Sequence, residues 1–122
     1  MISYITIGSN DLSASAMFFD ALFGAMNGSR AYSLDNMIGY SFAPKTPMII
    51  VTCPFDGKAA SHGNGTMIAL AATDRAHVDV IHALALDNGA TDEGAPGQRG
   101  RNFYGGYFRD LDGNKFNICK TS

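Results

Sequence analysis

No stretch of this sequence approaches 18 consecutive apolar residues, which excludes a membrane-spanning helix. A basic patch is also missing. Five Arg and four Lys are scattered along 122 residues with a net charge of −2, which argues against a nucleic-acid footprint or a polybasic membrane surface. The opening MISYITIGSN has no basic segment ahead of a long apolar run, so a secretory leader is not expected and the expected compartment is the cytoplasm. Cysteine is scarce: Cys53 and Cys119 are expected as reduced, packed thiols. Tryptophan is absent while glycine occurs 14 times, a pattern of tight turns and short strands. What remains is 46% apolar and only 16% charged, enough for a hydrophobic core and no case for disorder, in a length that fits one domain.

The chain divides into two similar halves. ISYITIG (2–8) is apolar and β-branched, a strand. Asn10 and Asp11 offer a cap for the helix LSASAMFFDALFG, in which Leu12, Ala16, Phe19 and Phe23 recur at helical spacing and Gly24 supplies a stop. Strands are expected near 29–33, over IGYSFA (38–43) and over PMIIVTC (47–53). Residues 55–65, rich in Gly, read as a linker. The second half opens with the strand TMIALAA (66–72). Thr73 or Asp74 caps the helix DRAHVDVIHALALDNG, whose stripe is Val78, Ile81, Ala85 and Leu86. A short strand near 90–92, the loop GAPGQRGRN (94–102) and a hairpin of YGGYFRD and KFNICK around LDGN close the chain.

Both halves therefore run strand, helix, three strands. Tyr4 matches Met67 and Asp11 matches Asp74 at an offset of 63 residues, and Cys53 matches Cys119 at 66. The expected fold is α+β: two tandem βαβββ modules, about 1–54 and 66–122, forming a curved mixed sheet with helices on the convex side. The concave face becomes a cleft walled by both halves.

Three stretches resemble the vicinal oxygen chelate superfamily, which holds glyoxalases, bleomycin resistance proteins and extradiol dioxygenases. ITIGSNDLSASAMFFDALFGA is similar to its opening strand and helix. GNGTMIALAATDRAHVDVIHALALDNGATDEGAPG is similar to the opening of its second module. GGYFRDLDGNKFNIC is similar to its closing turn and strand, with Leu111 where proline is usual. The resemblance implies a single glyoxalase-like domain, a homodimer, and metal ligands of His, Gln or Glu type on the first and last strand of each module. On this sequence those positions hold Tyr4, Val51, Met67 and Asn117. A hydrocarbon, a thioether, a neutral amide and a protonated phenol make a poor set of donors for a divalent cation. No metal and no other cofactor is expected.

Strand alternation places Tyr4, Thr6, Val51, Met67, Lys115 and Asn117 in the cleft, together with Ile49 and Cys53. The loop adds Arg99 and Arg101, followed by Tyr107, as candidates for holding a carboxylate or phosphate. His62, His77 and His82 are expected at the surface or its boundary. Such a lining fits a small organic ligand, aromatic or anionic, held by a metal-independent binding protein. Two alternatives stand beside it: a lyase, isomerase or dioxygenase of the superfamily with a non-standard site, and a dimeric interaction module without ligand. The cleft strands offer no His, Asp or Glu as a general base.

Overall fold

The computed structural model describes all 122 residues. The chain runs β1 (Tyr4–Gly8), α1 (Leu12–Gly24), β2 (Ser29–Ser33), β3 (Met37–Ser41), β4 (Met48–Thr52), β5 (Ile68–Ala71), α2 (Arg75–Asp87), β6 (Thr91–Gln98), β7 (Phe103–Arg109) and β8 (Lys115–Thr121). It forms two compact units, Met1–His62 and Gly63–Ser122. Each is a βαβββ module with its own four-stranded mixed sheet, ordered β1-β4-β3-β2 in the first and β5-β8-β7-β6 in the second. In both, the first strand pairs parallel to the last, and the other pairings are antiparallel.

Both helices begin as their caps dictate. The Asp11 carboxylate accepts from the Ala14 N–H at 3.1 Å, and Asp74 accepts from the His77 N–H at 2.7 Å. The second helix ends on Gly89 at φ +104°, a left-handed stop. The first ends differently. Gly24 is not left-handed; Asn27 takes φ +60° and the Gly28 N–H returns to the Phe23 carbonyl at 2.8 Å.

In the first unit Phe18, Phe19, Leu22 and Phe23 of α1 pack on Ile38, Tyr40, Ile49 and Val51, all nearly fully buried. The Tyr40 ring lies 5.2 Å from Phe23, edge to face, and its hydroxyl donates to Asp20 at 2.8 Å. Burial and that acceptor push the Tyr40 phenol well above its ordinary value. In the second unit Val78, Ile81 and Ala85 cover Phe108, Phe116 and Ile118, with Phe108 and Phe116 stacked at 5.5 Å.

Several expectations are corrected. The segment 94–98 is not loop but the second half of β6, an eight-residue edge strand. TDEGAPGQ shows no apolar alternation, and its register to β7 breaks on either side of Gly94; an edge also tolerates Pro96. His82 is buried, 4% exposed, rather than at the surface. It is a fourth member of the packed face of α2, with Nε2 3.1 Å from the Tyr107 carbonyl and 3.2 Å from Asp92 Oδ1. Cys53 is not packed but exposed, one residue beyond β4; both cysteines are free.

Candidate functional site

Each sheet has one face on its helix and one face away from it, so the residues able to meet a ligand are read from register. In the first unit Tyr4, Thr6 and Gly8 pair with Met48, Ile50 and Thr52. Met37 and Gly39 pair with Thr52 and Ile50, and Tyr32 pairs with Gly39. Paired residues share a face, and these stand opposite the one that Tyr40 and Ile38 present to α1. They form a concavity of about 440 Å³ lined by Tyr4, Thr6, Tyr32, Met37, Met48, Ile50 and Thr52. Tyrosines from the two edge strands stand at its sides, and methionines and Ile50 make its floor.

Gly39 explains how Tyr32 comes to lie there. A Cβ at Gly39 would stand 2.5 Å from the Tyr32 ring and 3.0 Å from the Met48 methyl. Only a glycine lets the ring lie across the sheet. The Tyr32 hydroxyl rests 4.0 Å from the Met37 sulfur. Thr6, Met37 and Thr52 continue into a second recess of about 730 Å³, bounded by Asn36, Pro54, Phe55, Asp56 and Ala60. There Asn10 grips the chain after the last strand: its amide accepts from the Ala60 N–H at 2.6 Å and donates to the Ala60 carbonyl at 3.2 Å.

Tyr4 and Thr6 are thus exposed on the expected face, but Val51 is not. Val51 pairs with Ile7 and Ile38, is 1% exposed, and belongs to the α1 core; Ile49 does the same beside Tyr40. The residue on the open face is Ile50. Register gives the reason. Asn117 pairs with Ala69, whose counterpart Thr6 pairs with Ile50, so the match of Cys53 with Cys119 was one residue off. A one-residue slip exchanges the two faces of a strand. Because Met48-Ile49-Ile50-Val51 is apolar throughout, alternation could not reveal the slip. Met48 and Ile50 were missed for the same reason, although such an unbroken apolar run is itself the mark of a strand with apolar surroundings on both sides; Tyr32, Met37 and Gly39, on β2 and β3, were missed because only strand pairing brings them to this face.

In the second unit the face away from α2 carries Ala69, Ala71, Gly105, Tyr107, Arg109, Lys115, Asn117 and Cys119. Met67 precedes β5 and is 43% exposed. Asn117 is 1% exposed, and its amide nitrogen donates to the Gly106 carbonyl at 2.9 Å. Burial raises the Cys119 thiol above its ordinary pKa, which disfavours the thiolate. Arg99 folds onto this face with its guanidinium 5.0 Å from the centre of the Tyr107 ring, while Arg101 is exposed in the turn that follows. The two arginines are therefore not a pair.

The turn after β7 is organised by Asp110. Its carboxylate accepts from the N–H groups of Asp112 and Asn114 at 2.9 and 2.8 Å and from the Asn114 side chain at 2.9 Å, while Gly113 supplies φ +86°. Leu111 in place of proline leaves this network intact.

The donors at the family's metal positions do not fit a divalent cation. The first unit offers an exposed phenol at Tyr4 and the hydrocarbon Ile50. The second offers the thioether of Met67 and the neutral amide of Asn117, 1% exposed. No group of three His, Cys, Asp or Glu side chains anywhere in the chain could hold a metal ion.

No protein-family model matches the sequence, and no curated protein sequence matches it. Solved structures do. A glyoxalase/bleomycin resistance protein from Albidiferax ferrireducens T118 is 35% identical, with 98% of this chain and 97% of that one covered and a TM-score of 0.89. A glyoxalase-related enzyme from Fulvimarina pelagi is 20% identical over 98% of this chain and 86% of its own, at a TM-score of 0.81. A lactoylglutathione lyase from Agrobacterium tumefaciens is 19% identical over 98% and 92%, at 0.73. The last two show likeness of fold.

Proposed function

Since the chain belongs to the glyoxalase/bleomycin resistance protein/dioxygenase superfamily, we propose that it is a metal-independent binding protein for a small organic molecule. The observation that carries this reading is the apolar concavity of the first sheet, floored by Gly39, Met48 and Ile50 and flanked by Tyr4 and Tyr32. Its polar points are few: the Tyr4 and Thr6 hydroxyls stand on the exposed strand β1. The Thr52 hydroxyl is taken by the Asn36 and Cys53 carbonyls at 3.2 and 2.9 Å. Such a surface favours a flat, largely apolar ligand, because methionine adapts its shape and tyrosine presents ring area at low entropic cost. None of the lining residues is a His, Asp or Glu, so proton transfer has no base there.

The test is binding of the neutral dye Nile red to the purified protein, with and without EDTA. Saturable binding that EDTA leaves unchanged, and that Met48→Glu weakens about tenfold or more by placing a carboxylate in the floor, is the expected result. Absence of binding, or a stoichiometric transition metal in elemental analysis, would overturn the reading. The protein is proposed to act in the cytoplasm, as the missing leader pattern suggests, and as a homodimer, as the family resemblance implies. Light scattering that returned only the 13.0 kDa chain would remove the dimer.

A further inference from the structure

The face of the second sheet away from α2 holds more positive charge than the acids on it can offset. Arg109 and Tyr107 of β7 share it with Lys115 and Asn117 of β8. Arg99 reaches it from the turn after β6, and Lys115 Nζ lies 5.6 Å from the same Tyr107 ring that Arg99 covers. One acid joins them: Glu93, whose carboxylate is held by Arg109 at 2.6 Å. Asp92 points to the opposite face, toward His82. Arg99 and Lys115 are thus left without an anion, in a chain whose net charge is −2.

The two cations differ in a useful way. The Arg99 guanidinium donates to the carbonyls of Ala95 at 2.6 Å, Gly97 at 3.3 Å and Gly105. These neutral acceptors fix its position and leave its charge uncompensated, with two of its five N–H groups uncommitted. Lys115 is half-buried, and neither its ammonium nor the Tyr107 hydroxyl is engaged in a hydrogen bond or ion pair. On the same face Ala69 and Ala71 are small and exposed, while Gly105 is buried under Arg99 and Phe103. Gly105 must stay small, because a Cβ there would stand 2.9 Å from the Asn117 amide nitrogen.

We propose that this face binds an oxyanion, a carboxylate or phosphate group of a small molecule. Lys115 Nζ and the Tyr107 hydroxyl are the donors, and the fixed Arg99 charge supplies the attracting field. The site stands on residues of the second unit alone. None of its residues lines the apolar concavity of the first unit, so the two readings are tested separately.

The experiment is amide NMR of the ¹⁵N-labelled protein titrated at constant ionic strength with benzoate, with inorganic phosphate, and with benzyl alcohol as the uncharged match. Saturable shifts centred on Gly105, Tyr107 and Lys115 are expected with an anion and not with the alcohol. Saturation by benzoate alone identifies a carboxylate site; saturation by phosphate alone identifies a phosphate site. Lys115→Gln is expected to weaken binding about tenfold, the usual scale for losing one charged hydrogen bond, and Lys58→Gln to leave it unchanged. Arg99→Lys, which keeps the charge but loses the carbonyl fork, controls for misfolding: it should weaken binding less than Lys115→Gln. Shifts that do not saturate, equal shifts with benzyl alcohol, or indifference to Lys115→Gln would each overturn the proposal.

Discussion

The two modules share a topology and differ in one face. Toward the helix both are alike: aromatic and aliphatic side chains at near-zero exposure, Phe19, Phe23 and Tyr40 in the first, Phe108, Phe116 and Ile118 in the second. Away from the helix they diverge. The first carries Tyr4, Met37, Met48 and Ile50; the second carries Tyr107, Arg109, Lys115 and Asn117. The difference teaches which face makes the module. Backbone pairing and the helix-side core hold each βαβββ unit together, so the other face is free to differ in chemistry between one copy and its repeat.

The largest test of that comparison removes one core aromatic from each module. Phe19→Ala and Phe116→Ala each empty a fully buried site and should each cost about 3–5 kcal/mol in urea unfolding. If one were nearly silent, the two helix-side cores would not be equivalent supports. A middle-sized effect comes from Gly39→Ala, whose Cβ would strike the Tyr32 ring and Met48. A loss of about 1–3 kcal/mol is expected as the ring is pushed aside, together with loss of Nile red binding and no change in the benzoate response. Equal damage to both ligand responses would show that the two proposed sites share the change. The smallest effect compares the caps. Asp11→Ala and Asp74→Ala should each cost about 1 kcal/mol of thermal stability, equally, because each carboxylate caps its helix through the same third residue. A twofold imbalance would show that the repeat is closer in sequence than in energy.

The duplication was legible because its markers are local. A cap aspartate, a run of helix formers and a β-branched strand act through neighbours in sequence, and α1 came out at Leu12–Gly24 as read. The faces of β1, β5 and β8 were legible for a related reason: Tyr4-Ile5-Thr6 and Lys115-Phe116-Asn117 alternate, so period two shows through. Where alternation failed, the reading failed. The apolar run Met48–Val51 hid its face, the Gly- and Pro-rich β6 hid its pairing, and the buried His82 gave no sign of the Tyr107 carbonyl waiting for it. Arg99 and Arg101 look interchangeable in sequence, yet the turn between them sends one onto the Tyr107 ring and leaves the other in solvent.

By itself, then, the sequence determined the module, its repetition and the family to which it belongs, since short-range propensity and spacing carry those. Tertiary structure alone decided that Ile50 and not Val51 meets the open face, that Tyr32 lies over Gly39, and that Arg99 and Lys115 stand unpaired around one ring. Each of these depends on the pairing of strands distant in sequence, and in a period-two structure a shift of one residue reverses what every side chain touches.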